Sequence, residues 1–371
     1  MRFRGSPALR RSALGLLASL SVLLTGCATL PQNPLDPKGP VAEAQTGLLM
    51  TSLWVATVIG AVVTVLLVIV VLRFRAKPGQ TEVPKQIHGS TKLEILWTAI
   101  PIAILVAIAI PTVQANFATM GRIENPDMTV KVVGHQWWFE FQYPEKSVTT
   151  ANELVIPVGK KVAVELVSDD VIHSFWVPQL AGKTDVIPNR LNHMWLQANE
   201  EGLYYGQCAE FCGDSHAKMR FRVRVVSDQA YTAWVETRLA QQKGLPAATD
   251  ADIAAGRALF EGQTKVKNSA GKEIPKVNCA SCHAIDGTTA KGKTAPNLSN
   301  VGDRNTVAAG ILENYGPDGK FDAALQAANL KKWIRNPVSF KPGTVMPSHP
   351  ESKLSDTELD QIVKYLQSLN K

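Results

Sequence analysis

The sequence predicts a multidomain protein with three parts in chain order: a two-helix transmembrane hairpin, an all-β domain and an all-α domain. Three observations predict this order. Two long apolar segments lie in the first third of the 371-residue chain, runs of β-branched residues broken by turn residues follow them, and helical patterns dominate after residue 250. A chain of this length can form two soluble domains of ordinary size beside membrane segments.

The N-terminus has the pattern of a bacterial secretory signal peptide. Residues 1–26 combine several arginines with an apolar stretch from Ala13 to Leu24, and Leu-Thr-Gly stands directly before Cys27. These last four residues resemble a lipobox, which implies cleavage before Cys27 and lipidation of its sulfur. An ordinary signal peptide is the alternative. Residues 27–44, rich in Pro, Asn and Gly, are expected to form a flexible tether.

Residues 45–117 are predicted to form the transmembrane hairpin. Leu48 to Leu72, 25 residues long, has no charged residue, and one membrane crossing needs about 20 residues. Ile95 to Val113 is a second apolar span, with Trp97 near its start, where aromatic side chains often lie at the membrane interface. The basic loop between the spans is expected to face the cytoplasm, which places both ends of the hairpin outside.

Residues 128–240 are predicted to form the all-β domain, closed by one helix. Short β-branched runs separated by turn residues are typical of a small sandwich or barrel. The predicted strands are Thr129–Val133, Glu153–Pro157, Lys161–Val167 and Arg220–Val226, and the closing helix is Gln229–Gln242. Residues 241–250 are interpreted as a linker to the next domain.

Residues 251–371 are predicted to form the all-α domain. Asp252–Glu261 has a helical pattern, and Ser355 with Glu358 three residues later forms a capping box that opens the C-terminal helix. The lysine-containing segment 262–277 either contacts an acidic partner or is a solvated loop.

The charge distribution excludes a nucleic-acid partner. The formal net charge is +7 at pH 7. Most of this excess lies in the leader and in the loop between the two apolar spans. The rest of the chain is close to neutral, so no basic patch requires a polyanion.

A set of soft metal ligands lies in the β domain. His173 is followed by Cys208-x3-Cys212-x3-His216-x2-Met219. Thiolate, imidazole and thioether groups favour copper over magnesium, calcium or manganese. Two cysteines on one loop can bridge two metals, whereas a one-copper blue site uses a single cysteine. A structural zinc site also uses Cys and His, but zinc would not explain Met219.

The all-α domain contains a second redox signature. Cys279-Ala-Ser-Cys282-His283 is a c-type heme attachment sequence, in which His283 would be the proximal ligand. Met346 is the only methionine of this domain, and a Met/His heme has a raised potential. His349 is a competing candidate for the second axial position. With Cys27 in the leader, all five cysteines are assigned, and none remains for a structural disulfide.

The sequence from about residue 45 to 235 resembles cytochrome c oxidase subunit II. The resemblance rests on the segments His173-Ser-Phe-Trp-Val-Pro, Lys183-Thr-Asp-Val-Ile-Pro, Tyr204–Met219, Gly134-His-Gln-Trp-Trp138 and Glu94-Ile-Leu-Trp97. It implies a cupredoxin-like domain with a binuclear copper A centre of two coppers. The implied ligands are His173, Cys208, Cys212, His216, Met219 and the backbone carbonyl of Glu210.

The same resemblance implies further roles. Trp137 would lie where electrons enter the copper site. Glu94 would lie at the mouth of a proton channel in the partner subunit, and a helix-start carboxylate at the membrane surface is the alternative. The Glu210 carboxylate would help to hold a magnesium shared with subunit I. Asn189 replaces a glycine of the family's Ile-Pro-Gly-Arg turn, and Asn tolerates a positive φ better than most residues.

Residues 251–371 resemble class I cytochrome c, and the two domains in this order resemble subunit II of caa(3)-type cytochrome c oxidases. The resemblance implies an electron-transfer subunit of a respiratory enzyme in the bacterial inner membrane. Electrons would pass from cytochrome c or another periplasmic donor through heme c and copper A to subunit I. Oxygen reduction to water and proton pumping would occur in that partner, which is accompanied by subunit III.

Two other functions fit parts of this pattern. Copper A domains also occur in nitric oxide and nitrous oxide reductases, but the hairpin with Glu94 and Trp97 favours the oxidase. A copper chaperone or sensor would not need a heme on the same chain.

Overall fold

The computed structural model describes residues 31–75, 79, 83, 86, 88–245 and 247–370. The predicted signal peptide and the lipidation site at Cys27 lie outside the described residues.

Two long helices, α1 (Pro40–Phe74) and α2 (Thr91–Thr119), form the predicted hairpin. Both are long and apolar enough to cross a membrane, and most of their apolar side chains are exposed, as expected for helices that face lipid. Pro101 and Pro111 lie inside α2 without ending it. Proline removes a backbone donor, and membrane helices tolerate it where neighbouring groups satisfy the freed carbonyl.

The segment before α1 differs from the predicted flexible tether. α1 begins at Pro40 rather than near residue 45, and Val41 is only 2% exposed because it packs into the core of the β domain. The Lys38 amide donates to the Gln179 carbonyl at 2.7 Å, and the Asn199 amide donates to the Lys38 carbonyl at 2.8 Å. Proline is favourable at a first helical position, where its missing N–H would have no partner. These contacts attach the first membrane helix to the soluble domain.

Ten strands form a sandwich of two five-stranded sheets, which confirms the all-β prediction. The strands are β1 (Met128–His135), β2 (Trp138–Tyr143), β3 (Val148–Ala151), β4 (Glu153–Pro157), β5 (Val162–Ser168), β6 (His173–Trp176), β7 (Thr184–Val186), β8 (Asn192–Leu196), β9 (Gly202–Cys208) and β10 (Arg220–Val226). The sheet orders are β3-β2-β1-β5-β8 and β4-β10-β9-β6-β7. Burial alternates along β1 and β5, so one face of the sheet enters the core.

The core of the sandwich is aromatic, and one end of it positions the predicted copper ligands. Phe139, Phe175 and Phe221 are fully buried and contact one another. β6 pairs antiparallel with β9, with Phe175 opposite Cys208. The start of β6 and the end of β9 therefore lie at the same edge, where the loop 209–219 leads to β10. Asn189, in the turn before β8, has φ +59°, as its residue type predicts.

Helix α3 (Asp228–Gln242) closes the β domain, and four helices follow it: α4 (Ala251–Phe260), α5 (Ala323–Arg335), α6 (Pro337–Phe340) and α7 (Asp356–Gln367). The predicted capping box at Ser355 and Glu358 is present. α4 crosses α7 so closely that a side chain at Gly256 would lie 2.0 Å from the Gln361 carbonyl oxygen. Glycine is therefore required at this crossing.

The helical prediction for the C-terminal domain is confirmed, with two short hairpins added to it. They pair β11 (Lys265–Lys267) with β12 (Glu273–Pro275) and β13 (Thr306–Val307) with β14 (Leu312–Glu313). The first hairpin carries the lysines of segment 262–277, and it is largely exposed.

Polar side chains join the two soluble domains directly. Glu153, 2% exposed, accepts hydrogen bonds of 2.9 Å from the backbone amide and from the side-chain amide of Asn305. Arg222, 1% exposed, donates to the Glu313 carboxylate at 2.8 Å. A buried charge without partners is costly, so each domain supplies groups that the other needs. The domains are docked as well as linked.

Candidate metal centres and the interface between them

The two cysteines of the copper motif lie side by side. Cys208 ends β9 and Cys212 lies on the following loop, with their sulfurs 3.7 Å apart and both side chains buried. Both thiols are free, and the separation is far longer than the roughly 2.05 Å of a disulfide. Both sulfurs are therefore available to bind metal.

The two predicted histidine ligands approach the sulfurs from different elements. His173, fully buried at the start of β6, has Nδ1 at 3.9 Å from the Cys208 sulfur. His216 has Nδ1 at 3.6 Å from the Cys212 sulfur. The Nε2 atom of His173 lies 2.8 Å from the Asp170 carboxylate. Such a partner on the second ring nitrogen fixes the orientation of a metal-binding imidazole, so Nδ1 is left for the metal.

Met219 and Glu210 complete the cluster. The Met219 sulfur is buried 3.9 Å from the Cys212 sulfur, and the Glu210 carbonyl oxygen lies 3.2 Å from the Cys208 sulfur. All six predicted copper ligands are therefore brought together, and their donor set fits copper. The Glu210 carboxylate points away to the surface, where it pairs with Lys183 at 3.4 Å.

The hydrogen bond between the two cysteines shifts their pKa values in opposite directions. The hydrogen bond from Cys212 lowers the pKa of Cys208 well below its usual range, although burial opposes this. The same hydrogen bond, together with burial, raises the pKa of Cys212. Thiolates bind metals and thiols do not, so both cysteines would have to lose their protons to hold a metal.

The heme-binding sequence lines a cavity of about 380 Å³ at the domain boundary. Cys279, Cys282, His283 and Met346 all line it, and the surrounding apolar walls include Phe260, Val277, Leu298, Val301, Leu330, Ile334, Ile362 and Leu366. His283 Nδ1 lies 2.8 Å from the Pro296 carbonyl oxygen, which leaves Nε2 for an iron. Burial lowers the pKa of His283 and so favours the neutral, ligating form. The cavity fits a heme, and His349 lines it as well.

Trp137 contacts both sites at once. Its indole Nε1 donates to the Cys212 carbonyl at 3.0 Å, and its side chain is one wall of the heme cavity. Gln136 also lines the cavity and donates to the same carbonyl at 2.8 Å. The residue that the sequence placed at the point where electrons enter the copper site therefore separates that site from the heme cavity.

Glu94 lies apart from these residues. It is in the first turn of α2, its side chain is exposed, and its amide bonds the Ser90 carbonyl at 3.0 Å. The structure does not bring it to the copper cluster.

Three residues that the sequence reasoning missed adjoin the site. Asp170 orients His173, and its position three residues before that histidine could have predicted this contact. Ser215 is fully buried beside His216 and donates to the Pro342 carbonyl at 2.7 Å. Lys341, 4% exposed, donates to the Trp137 carbonyl. Burial lowers the pKa of Lys341 to about 7. Local sequence gives no signal for the last two, because their partners lie in the other domain.

The chain matches three family descriptions that follow the same order. Residues 32–115 match the transmembrane domain of cytochrome c oxidase subunit II, residues 145–226 match its periplasmic domain, and residues 268–370 match cytochrome c.

Two similar proteins match 95% of this chain, and a solved structure matches a part of it. Cytochrome c oxidase subunit 2 of Alkalihalophilus pseudofirmus is 40% identical over 95% of both chains. The protein of the same description from Bacillus sp. PS3 is 36% identical over 95% of this chain and 96% of its own. The solved periplasmic domain of cytochrome oxidase subunit II from Bradyrhizobium japonicum is 36% identical, with 32% of this chain and 99% of that chain covered and a TM-score of 0.32. The chain therefore belongs to the cytochrome c oxidase subunit II family, as a membrane-bound electron-transfer subunit of a heme-copper oxidase complex whose copper A domain is followed by a cytochrome c domain.

Proposed function

We propose that electrons from a periplasmic donor reach the heme c first, pass to a binuclear copper A centre, and leave for subunit I. The observation that supports this order is the position of Trp137, which lines the heme cavity and hydrogen-bonds the copper loop. Cytochrome c is the proposed donor, and another periplasmic protein of the same redox class is the alternative.

Both groups would be held by residues of this chain. Cys279 and Cys282 would form the thioether bonds, and His283 and Met346 would be the axial ligands. The two coppers would be bound by His173, Cys208, Cys212, His216, Met219 and the Glu210 carbonyl. When bound, the heme and the copper pair supply one-electron redox chemistry.

The protein around these groups limits rearrangement during transfer. The Cys208 and Cys212 side chains are buried, which excludes water from their sulfurs. Asp170 holds the His173 ring in one orientation. Two coppers held by this ligand set would share one electron, so each metal–ligand distance would change less than at a single metal. The site is thus suited to fast transfer without bond changes.

Exposed groups beside the copper ligands are the proposed contact with subunit I. Val171 and Ile172 precede His173, Phe211 precedes Cys212, and all three apolar side chains are exposed, Phe211 by 77%. Exposed apolar side chains grouped at one site are typical of protein interfaces. The Glu210 carboxylate would hold a magnesium at this contact.

The membrane placement extends the proposal. Both helices would cross the bacterial inner membrane, with the soluble domains on the periplasmic side and a lipid on Cys27. The secretory pattern of residues 1–26 and the basic loop between the apolar spans support this orientation. Glu94, at the start of α2, would then face the mouth of the proton channel in subunit I. Subunit III would complete the assembly.

The test is an optical and electron paramagnetic resonance spectrum of the full chain in detergent, matured with heme and copper. We expect a low-spin heme c together with a copper signal from one electron shared by two copper nuclei. A single-copper signal, or zinc in place of copper, would show that the Cys208–Cys212 loop does not form copper A.

A further inference from the structure

The loop Lys341-Pro342-Gly343 of the cytochrome c domain contacts both Trp137 and the copper loop. We propose that these three residues form a positioning element, called here the interface loop, which fixes Trp137 between the heme cavity and the copper cluster. The interface loop thereby sets the rate of electron transfer between the two sites. The inference rests on the proposed function, because it requires both redox groups.

Lys341 supplies a buried hydrogen bond of the interface loop. It follows α6, its side chain is 4% exposed, and its amino group donates to the main-chain carbonyl of Trp137. A buried amino group is costly unless it is hydrogen-bonded. The gain from this bond is therefore available only while the two domains are docked with Trp137 in its present place.

Pro342 supplies the contact to the copper loop. Its carbonyl accepts the hydrogen bond of 2.7 Å from the buried Ser215 hydroxyl. Ser215 directly precedes His216, one of the predicted copper ligands. A shift of the interface loop would therefore move the chain next to a ligand.

Gly343 supplies the close approach. It has φ +82°, and a Cβ at this position would lie 2.5 Å from Cη2 and 3.0 Å from Cζ3 of the Trp137 indole. Only a residue without a side chain lets the backbone lie against the ring edge. Met346, three residues later, lines the heme cavity, so one short segment connects the predicted iron ligand to Trp137.

Together these contacts hold Trp137 from three directions. Its Nε1 is bonded to the Cys212 carbonyl, its own carbonyl is bonded by Lys341, and its ring edge lies against Gly343. Electron transfer weakens steeply when packed groups separate, and small misplacements are costly in rate. Loosening either interface-loop contact should slow transfer without changing the ligands of either redox centre.

The experiment uses the full chain in detergent, loaded with heme and copper. A photoexcited ruthenium complex donates one electron to the ferric heme, and the ferrous heme is then reoxidised as the oxidised copper pair gains that electron. The measured quantity is the rate of this second step. Lys341→Met removes the charge and the hydrogen-bond donors but keeps an unbranched side chain of similar length. Its control is Lys331→Met, which removes a partly exposed lysine of the same domain.

Gly343→Ala tests the close approach independently. Its control is Gly319→Ala, because Gly319 has a similar φ of +73° but its Cβ would meet no atom within 4 Å. We expect Lys341→Met and Gly343→Ala each to slow transfer about tenfold, with both controls unchanged. In Gly343→Ala, which changes no charge, the optical spectrum, the reduction potential of the heme and the copper signal should remain as in the unaltered chain.

Unaltered transfer in Lys341→Met and Gly343→Ala, with both centres loaded, would overturn the inference. A slower rate in Gly343→Ala accompanied by a shifted heme potential or a changed copper spectrum would overturn it too, because the loop would then act on a redox centre rather than on Trp137. Failure of the unaltered chain to bind either group would contradict the proposed function instead.

Discussion

Gly134→Ala should displace the copper ligand His173 while leaving the fold in place. Gly134 lies in β1, and a Cβ there would stand 2.7 Å from Cδ2 of His173 and 3.2 Å from a methyl group of Val186. Non-bonded carbons prefer about 3.5 Å or more, so the ring must move by about 0.8 Å. His173 is fully buried and held by Asp170, which leaves the ring little freedom to move elsewhere.

The size of this movement decides the outcome. Metal–ligand distances tolerate about 0.2 Å, so a shift of 0.8 Å breaks or distorts the bond from Nδ1 of His173 to copper. Overpacking of this kind costs about 1–3 kcal/mol of folding free energy, which the protein can lose without unfolding. We therefore expect a folded chain with an altered copper signal and weaker copper retention against a chelator.

The assay is copper content and electron paramagnetic resonance, with thermal unfolding measured in parallel. Gly206→Ala is the matched control, because its Cβ would lie 2.2 Å from the Phe221 ring and no ligand side chain is among its nearest contacts. The control should lose more stability and keep the normal copper signal. If Gly134→Ala binds two coppers with an unaltered spectrum, either His173 is not a ligand or the strand relaxes, and the reasoning is refuted.

Three further predictions follow from contacts of the soluble domains. Trp137→Phe removes the indole donor to the copper loop and should slow electron transfer from heme to copper about tenfold in the same photoreduction assay. Both centres should still bind heme and copper. An unchanged rate would exclude Trp137 from the path. Glu153→Ala leaves the buried amides of Asn305 without an acceptor and should lower the free energy of unfolding by about 3 kcal/mol. Calorimetry should then resolve separate transitions for the two domains, and a single unshifted transition would contradict the interface role. Burial tends to raise the pKa of Glu358, but its ion pair with Lys276 and its bonds from Ser355 hold that pKa below its usual value. The pair therefore stabilises the heme domain above the ordinary pKa of a glutamate, and this contribution is lost as the pH falls through the depressed value. Lys276→Met should lower the denaturant midpoint of the heme domain at neutral pH. The difference in midpoint between this variant and the unaltered chain should shrink in acid, and a difference that does not depend on pH would argue against the ion pair.

The sequence by itself predicted the helices, the strands and the redox chemistry, because these depend on local pattern. The membrane helices follow from uninterrupted apolar residues, and the strands of the sandwich follow from β-branched runs. The ligand set around Cys208 and Cys212 follows from five residues on or near one loop, and only His173 comes from a distant segment. The positive φ of Asn189 was predictable from the residue type alone. Signals of this kind need no knowledge of which segments meet.

The tertiary structure decided how the parts are placed together. Residues 27–44 were predicted to form a tether, yet Val41, in the first turn of α1, lies in the core of the β domain, because burial of apolar surface there outweighs the flexible composition of the segment. The contact between Lys341 and Trp137 joins residues 204 positions apart. No local pattern encodes such a pair, since it exists only where two folded surfaces meet. The sequence therefore determined two redox sites, and the docking of two domains around Trp137 decided that they are neighbours.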